Sequence, residues 1–231
     1  MAASPSKAAH KAGAGHGFPW PAAGVAVIIA LAMAGTGLLL AAFNAPVRQP
    51  PQPVSEAAPT ASAVADVNRA KAKPAAGLAR SVPIEVTIPS IGLETRIMTL
   101  GLNDDGSVQV PPRSKANFAG WYQRGASPGE IGNAVLVGHV DTAKMGPAAF
   151  YNLGLLEPGD TVEITRKDGK VVEFTVDGAQ SYPKDEFPSG LVYGPADRAQ
   201  LRLVTCGGTW SEETAYPNNI VVFATQTDVT S

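Results

Sequence analysis

Residues 201–208 read Leu201-Arg202-Leu203-Val204-Thr205-Cys206-Gly207-Gly208, an apolar run that ends at a cysteine and two glycines. A similar run, residues 134–139, reads Ala134-Val135-Leu136-Val137-Gly138-His139. Short apolar runs bounded by glycine predict two buried β-strands. Cys206 is the only cysteine of the chain, and His139 is the only histidine outside the N-terminal tail. The two strands therefore carry one thiol and one imidazole at their ends.

Cys206 and His139 are candidates for the nucleophile and the general acid/base of a thiol acyl-transfer enzyme. A thiolate is the active form, and a free thiol with a pKa of about 8.5 is mostly protonated at pH 7. An imidazole titrates in the range needed to exchange that proton. The alternative is that Cys206 is a small buried residue with no chemical role, which is common for a lone cysteine. Both interpretations stay open on these two residues alone.

The first 80 residues differ in composition from the rest of the chain. Residues 1–21 are small and polar and predict a disordered cytoplasmic tail. Residues 22–43 contain no charged side chain and are long enough for a single transmembrane anchor, which places the rest of the chain outside the cell membrane. Residues 44–80 are rich in proline and alanine and predict a disordered linker. Residues 81–231 remain for a catalytic domain.

Residues 81–231 predict an all-β domain. Asp168-Gly169 lies between two alternating runs and predicts a hairpin, whereas residues 147–156 have apolar side chains at helical spacing and predict a helix. Many short strands with one or two short helices favour a closed β-barrel, in which the aromatic side chains pack. The predicted strands are 84–88, 95–98, 107–110, 133–138, 160–165, 171–178, 201–205 and 219–225, and the aromatic residues are Trp121, Tyr122, Phe150, Phe174 and Phe223.

Charge and composition exclude several classes of function. The formal net charge is -2 at pH 7, so no bulk basicity indicates a nucleic-acid partner. One cysteine rules out an intrachain disulfide framework. Glu212 and Glu213 do not suggest a calcium site, and the sequence predicts neither a metal nor a cofactor. We expect a monomer.

An ordered set of motifs runs through residues 81–231. The longest are Val137-Gly138-His139-Val140-Asp141, Leu203-Val204-Thr205-Cys206-Gly207-Gly208 and Asn219-Ile220-Val221-Val222-Phe223-Ala224. Shorter matches lie at 89–92, 110–112, 119–122, 182–185 and 192–195. Each piece is weak alone, but the ordered set is specific. It resembles a sortase, in particular the class F type of actinobacteria, the high-GC Gram-positive bacteria.

The resemblance implies an eight-stranded sortase-type β-barrel that acts as a transpeptidase. Such an enzyme would cleave a Leu-Pro-x-Thr-Gly-like sorting signal of a secreted protein between Thr and Gly. Cys206 would hold the acyl group as a thioester, and His139 would act as general acid and base. The acceptor would be an amine from a cell-wall precursor or from a pilin lysine.

The chain departs from the family pattern after the cysteine. Sortases generally carry an arginine on the next strand, but no Lys or Arg follows Cys206 here. The corresponding place falls near Asn219, whose amide can donate to an oxyanion. Strand alternation puts Arg202 on the same face as Cys206, so Arg202 is either a second candidate stabiliser or a solvated surface charge. Asp141 either orients the His139 ring or shapes a loop.

Other functions compete with a sortase. The missing arginine favours a catalytically weak or inactive sortase-like module that binds the cell wall. A cell-wall L,D-transpeptidase also uses Cys and His, but residues 204–207 lack its longer Ser-His-Gly-x-x-Cys motif. An anchored β-domain with a structural Cys206 is the non-enzyme alternative, and the rate of thiol alkylation separates it from the others.

Overall fold

The structure is a computed structural model that describes residues 49–54 and 77–230 of the 231-residue chain. The predicted tail and anchor, and most of the predicted linker, lie outside the described residues. Within the described ranges, no helix has the length and apolar character needed to cross a membrane. Residues 49–54 and the β-strands belong to one compact unit that spans Gln49–Ser231.

The described residues form ten β-strands and one short α-helix. Between them lie 3-10 turns at Pro89–Ile91, Arg113–Lys115, Leu153–Leu155 and Lys184–Glu186. The elements are β1 (Pro83–Ile88), β2 (Leu93–Leu100), β3 (Ala119–Tyr122), β4 (Gly132–Val137), β5 (Asp141–Thr142), β6 (Gly146–Pro147), β7 (Thr161–Arg166), β8 (Val171–Pro183), α1 (Ser189–Tyr193), β9 (Ala199–Gly207) and β10 (Asn218–Thr230).

Eight of these strands close into a barrel. Their order is β1-β2-β3-β4-β9-β10-β8-β7, and the β1–β7 pair closes the ring. The β2–β3 and β4–β9 pairs are parallel and the other pairs are antiparallel. The short strands β5 and β6 form a separate two-stranded sheet. The predicted all-β fold with an eight-stranded closed barrel is therefore confirmed.

Strands β4, β9 and β10 are buried on both faces, which explains why they read as continuous apolar runs rather than alternating ones. One face lines the barrel interior, where Leu136, Leu203 and Val222 pack with Phe150 and Phe174. The opposite face carries a second group, the outer cluster, partly covered by α1. Its buried members are Leu100, Val135, Val137, Val192, Val204, Val221 and Phe223, with half-buried Tyr122, Tyr182 and Tyr193 against them.

The predicted helix over residues 147–156 is wrong. Phe150 and Leu153 are buried as their spacing suggested, but the backbone forms β6, turns and a 3-10 turn. The Ala149 and Phe150 N–H groups donate to the carbonyls of Ala116 and His139, at 3.1 and 3.0 Å. Tertiary hydrogen bonds thus replace those of a helix.

Two strand assignments also differ, while the predicted hairpin is confirmed. In 107–110 only Val108 pairs, through an isolated bridge to Leu102, because Asp105 accepts hydrogen bonds from Ser107 and shapes a tight loop. The sequence interpretation named residues 119–122 only as a motif, and they form β3. Asp168-Gly169 joins β7 to β8, with Gly169 at a φ of 84°.

Candidate active site

Cys206 lies near the end of β9 and is followed by two glycines, Gly207 and Gly208. Its Cα partner on β10 is Asn219, and its side chain is half-buried. A Cβ at Gly207 would stand 2.6 Å from Cγ1 of Ile220, so only glycine fits there. Gly208 has a φ of 87°, a left-handed conformation that glycine adopts readily. The strand therefore ends one residue after the thiol and turns away.

The parallel β4–β9 pair brings His139 to the same end of the barrel as Cys206. Val137 is the Cα partner of Val204. Beyond β4, the Gly138 N–H donates to the Val204 carbonyl at 3.1 Å. The Thr205 hydroxyl donates to the Gly138 carbonyl at 2.9 Å. His139, two residues beyond β4, and Cys206, near the end of β9, therefore lie at the same end of two paired parallel strands.

Cys206 and Asn219 share one face of the sheet. Val137, Val204 and Val221 all belong to the outer cluster. Side chains two residues apart on a strand lie on the same face. The thiol and the amide therefore extend that face beyond the outer cluster. The Asn219 side chain has no hydrogen-bond partner among residues 49–54 and 77–230, so its amide is available for a ligand.

The His139 ring has a defined tautomer. Its Nε2 lies 2.6 Å from the carbonyl oxygen of Pro111. A carbonyl oxygen only accepts hydrogen bonds, so Nε2 carries the proton of the neutral ring. Nδ1 is then the nitrogen available to exchange a proton with a substrate or with the thiol.

Asp141 contacts a different partner from the one that the sequence suggested. It lies in β5, and its Oδ2 accepts a hydrogen bond from the Tyr216 hydroxyl at 2.7 Å. Burial and this hydrogen bond raise the pKa of Tyr216, so the phenol stays a neutral donor. Among the described residues, no hydrogen bond joins Asp141 to the His139 ring. The Asp141–Tyr216 hydrogen bond instead joins β5 to the loop between β9 and β10.

Arg202 is neither a solvated surface charge nor a neighbour of the thiol. It is 3% exposed, and its guanidinium lies 4.9 Å from the centroid of the Phe223 ring. It donates to Gln200 Oε1 at 2.6 Å and to the Leu201 carbonyl at 3.0 Å. Burial lowers its pKa to about 10, so it stays charged at neutral pH. It precedes Cys206 by four residues, about 13 Å along a strand.

The electrostatic surroundings of Cys206 bring in a residue that sequence reasoning missed. Burial raises the pKa of the thiol above its ordinary value. The Lys184 ammonium opposes this effect through its charge and a side-chain hydrogen bond, whereas the Asp141 carboxylate raises the pKa further. Lys184 lies in one of the short sequence motifs, but nothing in the sequence places it near the cysteine.

A proline-rich segment, residues 49–54, lies against the chain just after Cys206. Gln52 Oε1 accepts a hydrogen bond from the Gly208 N–H at 2.9 Å. Gln49 donates to the Thr209 hydroxyl at 2.8 Å and accepts from the Tyr151 hydroxyl at 3.1 Å. Pro50 is buried. An amide-type oxygen thus occupies the backbone N–H of Gly208, two residues from the thiol.

Replacing Gln52 by alanine is expected to speed alkylation of Cys206 by iodoacetamide about fivefold. The change removes the hydrogen bond to Gly208, which contributes about 1 kcal/mol. Residues 49–54 should then leave their position about five times more often, so iodoacetamide reaches the thiol faster. Rates are compared at one pH with those of Gln123→Ala, an exposed glutamine at the end of β3. Equal rates in the Gln52→Ala variant and the wild type would mean that residues 49–54 do not shield the thiol.

The fold and the site together define a closed β-barrel protein with a cysteine and a histidine at one end of two paired parallel strands. The sortase domain family matches residues 86–227, more than half of the chain. The chain belongs to the sortase family, which consists of cysteine transpeptidases.

Solved structures with a similar fold include several sortases. The SrtA sortase from Actinomyces oris is 20% identical, with 69% of this chain and 87% of that chain covered and a TM-score of 0.49. Sortase A from Listeria monocytogenes is 16% identical, with 65% and 90% covered and a TM-score of 0.47. A lid mutant of sortase A from Corynebacterium diphtheriae is 19% identical, with 77% and 84% covered and a TM-score of 0.48. No curated protein matches the chain.

Proposed function

We propose that this protein is a membrane-anchored sortase that cleaves a Leu-Pro-x-Thr-Gly-like sorting signal between Thr and Gly. It then transfers the threonyl acyl group to an amine from a cell-wall precursor or a pilin lysine. The observation that carries the proposal is the parallel β4–β9 pair, which brings His139, just beyond β4, and Cys206, near the end of β9, to one end of the barrel. A nucleophile and a base in this relation are the minimum for thiol acyl transfer.

In the first half-reaction the Cys206 thiolate attacks the carbonyl carbon of the Thr–Gly bond. The new S–C bond gives a tetrahedral intermediate with its negative charge on the former carbonyl oxygen. When this intermediate collapses, the C–N bond breaks and the His139 imidazolium gives a proton to the departing glycine amine. The products are a thioester on Cys206, a free peptide amine and a neutral His139.

In the second half-reaction an acceptor amine attacks the thioester carbonyl. His139 takes the proton that the amine loses, and the C–S bond breaks to release the thiolate. A new amide forms, and both catalytic side chains return to their starting states. Water in place of the amine gives hydrolysis, and the ratio of the two products measures how well the site favours transfer.

Binding of the sorting peptide requires residues 49–54 to move. In this structure Gln52 Oε1 occupies the Gly208 N–H. A substrate carbonyl has the same hydrogen-bonding chemistry as that oxygen, so it can accept from Gly208 once Gln52 leaves. Gly208 then becomes a donor for the peptide, and Asn219 offers a second one from the neighbouring strand.

The proposal includes a cellular location and a subclass. Residues 22–43 form a single-pass anchor in the cell membrane, residues 1–21 face the cytoplasm, and the barrel lies outside, where secreted substrates and wall precursors meet. The motif set supports the class F type of actinobacteria. The substrates are secreted proteins with a C-terminal sorting signal.

Full-length protein in detergent, mixed with a quenched Leu-Pro-x-Thr-Gly peptide, tests the proposal. We expect cleavage between Thr and Gly without added amine and a ligated product when a glycine-based amine is present, both identified by mass spectrometry. A folded protein that cleaves no such peptide would refute the proposal.

A catalytically weak or inactive sortase-like wall-binding module is the second candidate. The absence of any Lys or Arg after Cys206 favours it, since the neutral Asn219 is the Cα partner of the thiol-bearing residue. This candidate predicts that the folded protein binds cell-wall material while leaving the peptide intact. Co-sedimentation with purified walls, measured beside the cleavage assay, separates the two functions.

A further inference from the structure

The Cys206 site needs a positive charge that the neighbouring strand does not supply. Burial raises the pKa of the thiol, so its charged form is disfavoured unless a cation faces it. Asn219, the Cα partner of Cys206, is neutral. Arg202 is committed to Phe223, Gln200 and the Leu201 carbonyl, about 13 Å along β9. Any compensating charge must therefore come from another element.

The backbone of Lys184 lies two strands away from Cys206. Pro183, the last residue of β8, is the Cα partner of Asn218, and Asn218 is in turn the partner of Gly207. The Lys184 N–H donates to the Pro217 carbonyl at 3.1 Å, which fixes its backbone against the start of β10. Two inter-strand spacings amount to about 10 Å. A lysine has a flexible four-carbon stem that extends across most of this gap.

The strand that leads to Lys184 carries a side chain on the same face of the sheet as Cys206. Tyr182 packs against the outer cluster, together with Val204 and Val221. Tyr182 is also the Cα partner of Asn219, so its side chain lies on the face that carries Cys206 and Asn219. Lys184 comes two residues later, at the start of the 3-10 turn that follows β8. The Lys184 side chain is exposed, and its ammonium group lowers the pKa of the Cys206 thiol, against the effect of burial.

We propose that Lys184 is a catalytic residue whose ammonium group, delivered across β10, stabilises the negative charge on the Cys206 sulfur and on the oxygen of the tetrahedral intermediate. The oxygen part of this role rests on the proposed acyl-transfer function. The sulfur part does not, since it concerns the thiol before any substrate is bound.

The other titratable groups around the thiol make the Lys184 charge necessary. Asp141 from β5 raises the pKa of the thiol, and the Tyr216 hydroxyl that donates to Asp141 is neutral. His139 follows the end of β4, the strand paired with β9, and supplies the exchangeable proton. Lys184 is thus the permanent cation that acts on the thiol among the described residues. A permanent charge serves both half-reactions, whereas a histidine that has given up its proton is neutral when the second begins.

The thiol itself provides the first test, without any peptide substrate. The rate of iodoacetamide alkylation of full-length protein is measured against pH for the wild type, Lys184→Gln, Lys184→Arg and the control Lys167→Gln. Lys167 is an exposed lysine in the turn between β7 and β8, so it matches the lost charge. We expect the Lys184→Gln profile to move to higher pH and the other two variants to follow the wild type. A Lys184→Gln profile that superimposes on the wild type would overturn the proposal.

The second test measures kcat/KM with the sorting peptide. Lys184→Gln should lower kcat/KM about 10²-fold, the size of effect expected for one lost oxyanion contact, and Lys184→Arg should stay within about tenfold of the wild type. Adding Asn219→Arg to Lys184→Gln places a cation on the Cα partner of Cys206 and should recover at least about tenfold in kcat/KM.

If the wild type cleaves peptide and Lys184→Gln cleaves it equally well, the Lys184 proposal fails and the proposed function stands. If the wild type cleaves nothing, the proposed function fails and the alkylation profile still decides the role of Lys184 at the sulfur.

Discussion

Replacing Cys206 by alanine is expected to abolish peptide cleavage and transfer, with a loss of at least about 10⁴-fold in kcat/KM. Cys206 is the only thiol in the chain, so no other sulfur can form the thioester. Removing a covalent nucleophile leaves only binding and oxyanion contacts to act on the substrate, and such residual catalysis is several orders of magnitude weaker. Activity is measured with the quenched sorting peptide, and folding is checked by circular dichroism.

His139→Ala should lose activity to a similar extent, because the leaving amine then departs without a proton donor. The double variant Cys206→Ala/His139→Ala should be no worse than either single variant, since the two side chains act as one unit. The two single variants differ in one respect: His139→Ala keeps the thiol and should still react with iodoacetamide, whereas Cys206→Ala should not. Cys206→Ala activity within tenfold of the wild type would exclude the thioester route.

The sequence predicts Cys206 and His139 as site residues because the signals that mark them are local. Two apolar runs end at Cys206 and His139 with glycine beside each, and both runs are strands buried on both faces. What joins the two ends is the parallel pairing of β4 with β9, strands far apart in the chain. Local periodicity carries no information on such pairing, so the resemblance to a family supplied the expectation that the two residues meet.

Arg202 illustrates the limit of alternation. The period of two correctly puts residues 202, 204 and 206 on one face. It does not say that the guanidinium stacks on Phe223, a residue of the next strand, and is buried there. That contact depends on the β9–β10 register, in which Phe223 is the Cα partner of Arg202. The sequence therefore predicts the face of β9 on which Arg202 lies but not its contact with Phe223.

Lys184 and Gln52 were missed for a related reason. Lys184 acts across two strand pairs, so its nearness to the thiol exists only in the barrel order β8-β10-β9. Gln52 belongs to a proline-rich stretch whose composition predicts a solvated spacer. Yet two glutamines give residues 49–54 specific hydrogen bonds to Gly208 and Thr209. Composition describes the average behaviour of a segment and not the few polar contacts that fix part of it.

Arg166 is the largest fully buried side chain, and its role is structural. It is 1% exposed, and it donates to the carbonyls of Pro128 and Ala79 and, through two nitrogens, to Asp168. One side chain therefore joins the end of β7 to the segment before β1 and to the loop before β4. Gly129 makes room for it, because a Cβ there would lie 2.9 Å from Nη1 of Arg166.

Arg166→Met is expected to lower the free energy of unfolding by about 3 kcal/mol, measured by urea denaturation. Methionine fills similar space but leaves the buried Pro128 carbonyl without a donor, at about 1–3 kcal/mol, and also removes the hydrogen bond to the carbonyl of the exposed Ala79, at about 1 kcal/mol. Asp168→Asn should have a smaller effect because that carboxylate is more than a third exposed. A loss below about 1 kcal/mol would mean that water replaces the guanidinium at both carbonyls.

The same contact gives a pH dependence that distinguishes Arg166→Met from a simple packing defect. Hydrogen bonds from Arg166 lower the pKa of Asp168 below its ordinary value of 3.8. A carboxyl whose pKa is lower in the folded state stabilises the fold above its unfolded pKa, and this stability is lost as the pH falls through the folded pKa. Wild-type stability should therefore fall in acid, from around the ordinary carboxyl pKa downward.

In Arg166→Met the pKa of Asp168 returns toward its ordinary value, so this component of the acid loss should disappear. Urea midpoints measured between neutral pH and about pH 3 should thus converge for the two proteins as the pH decreases. A constant difference at every pH would mean that Arg166 acts through its two carbonyl contacts alone.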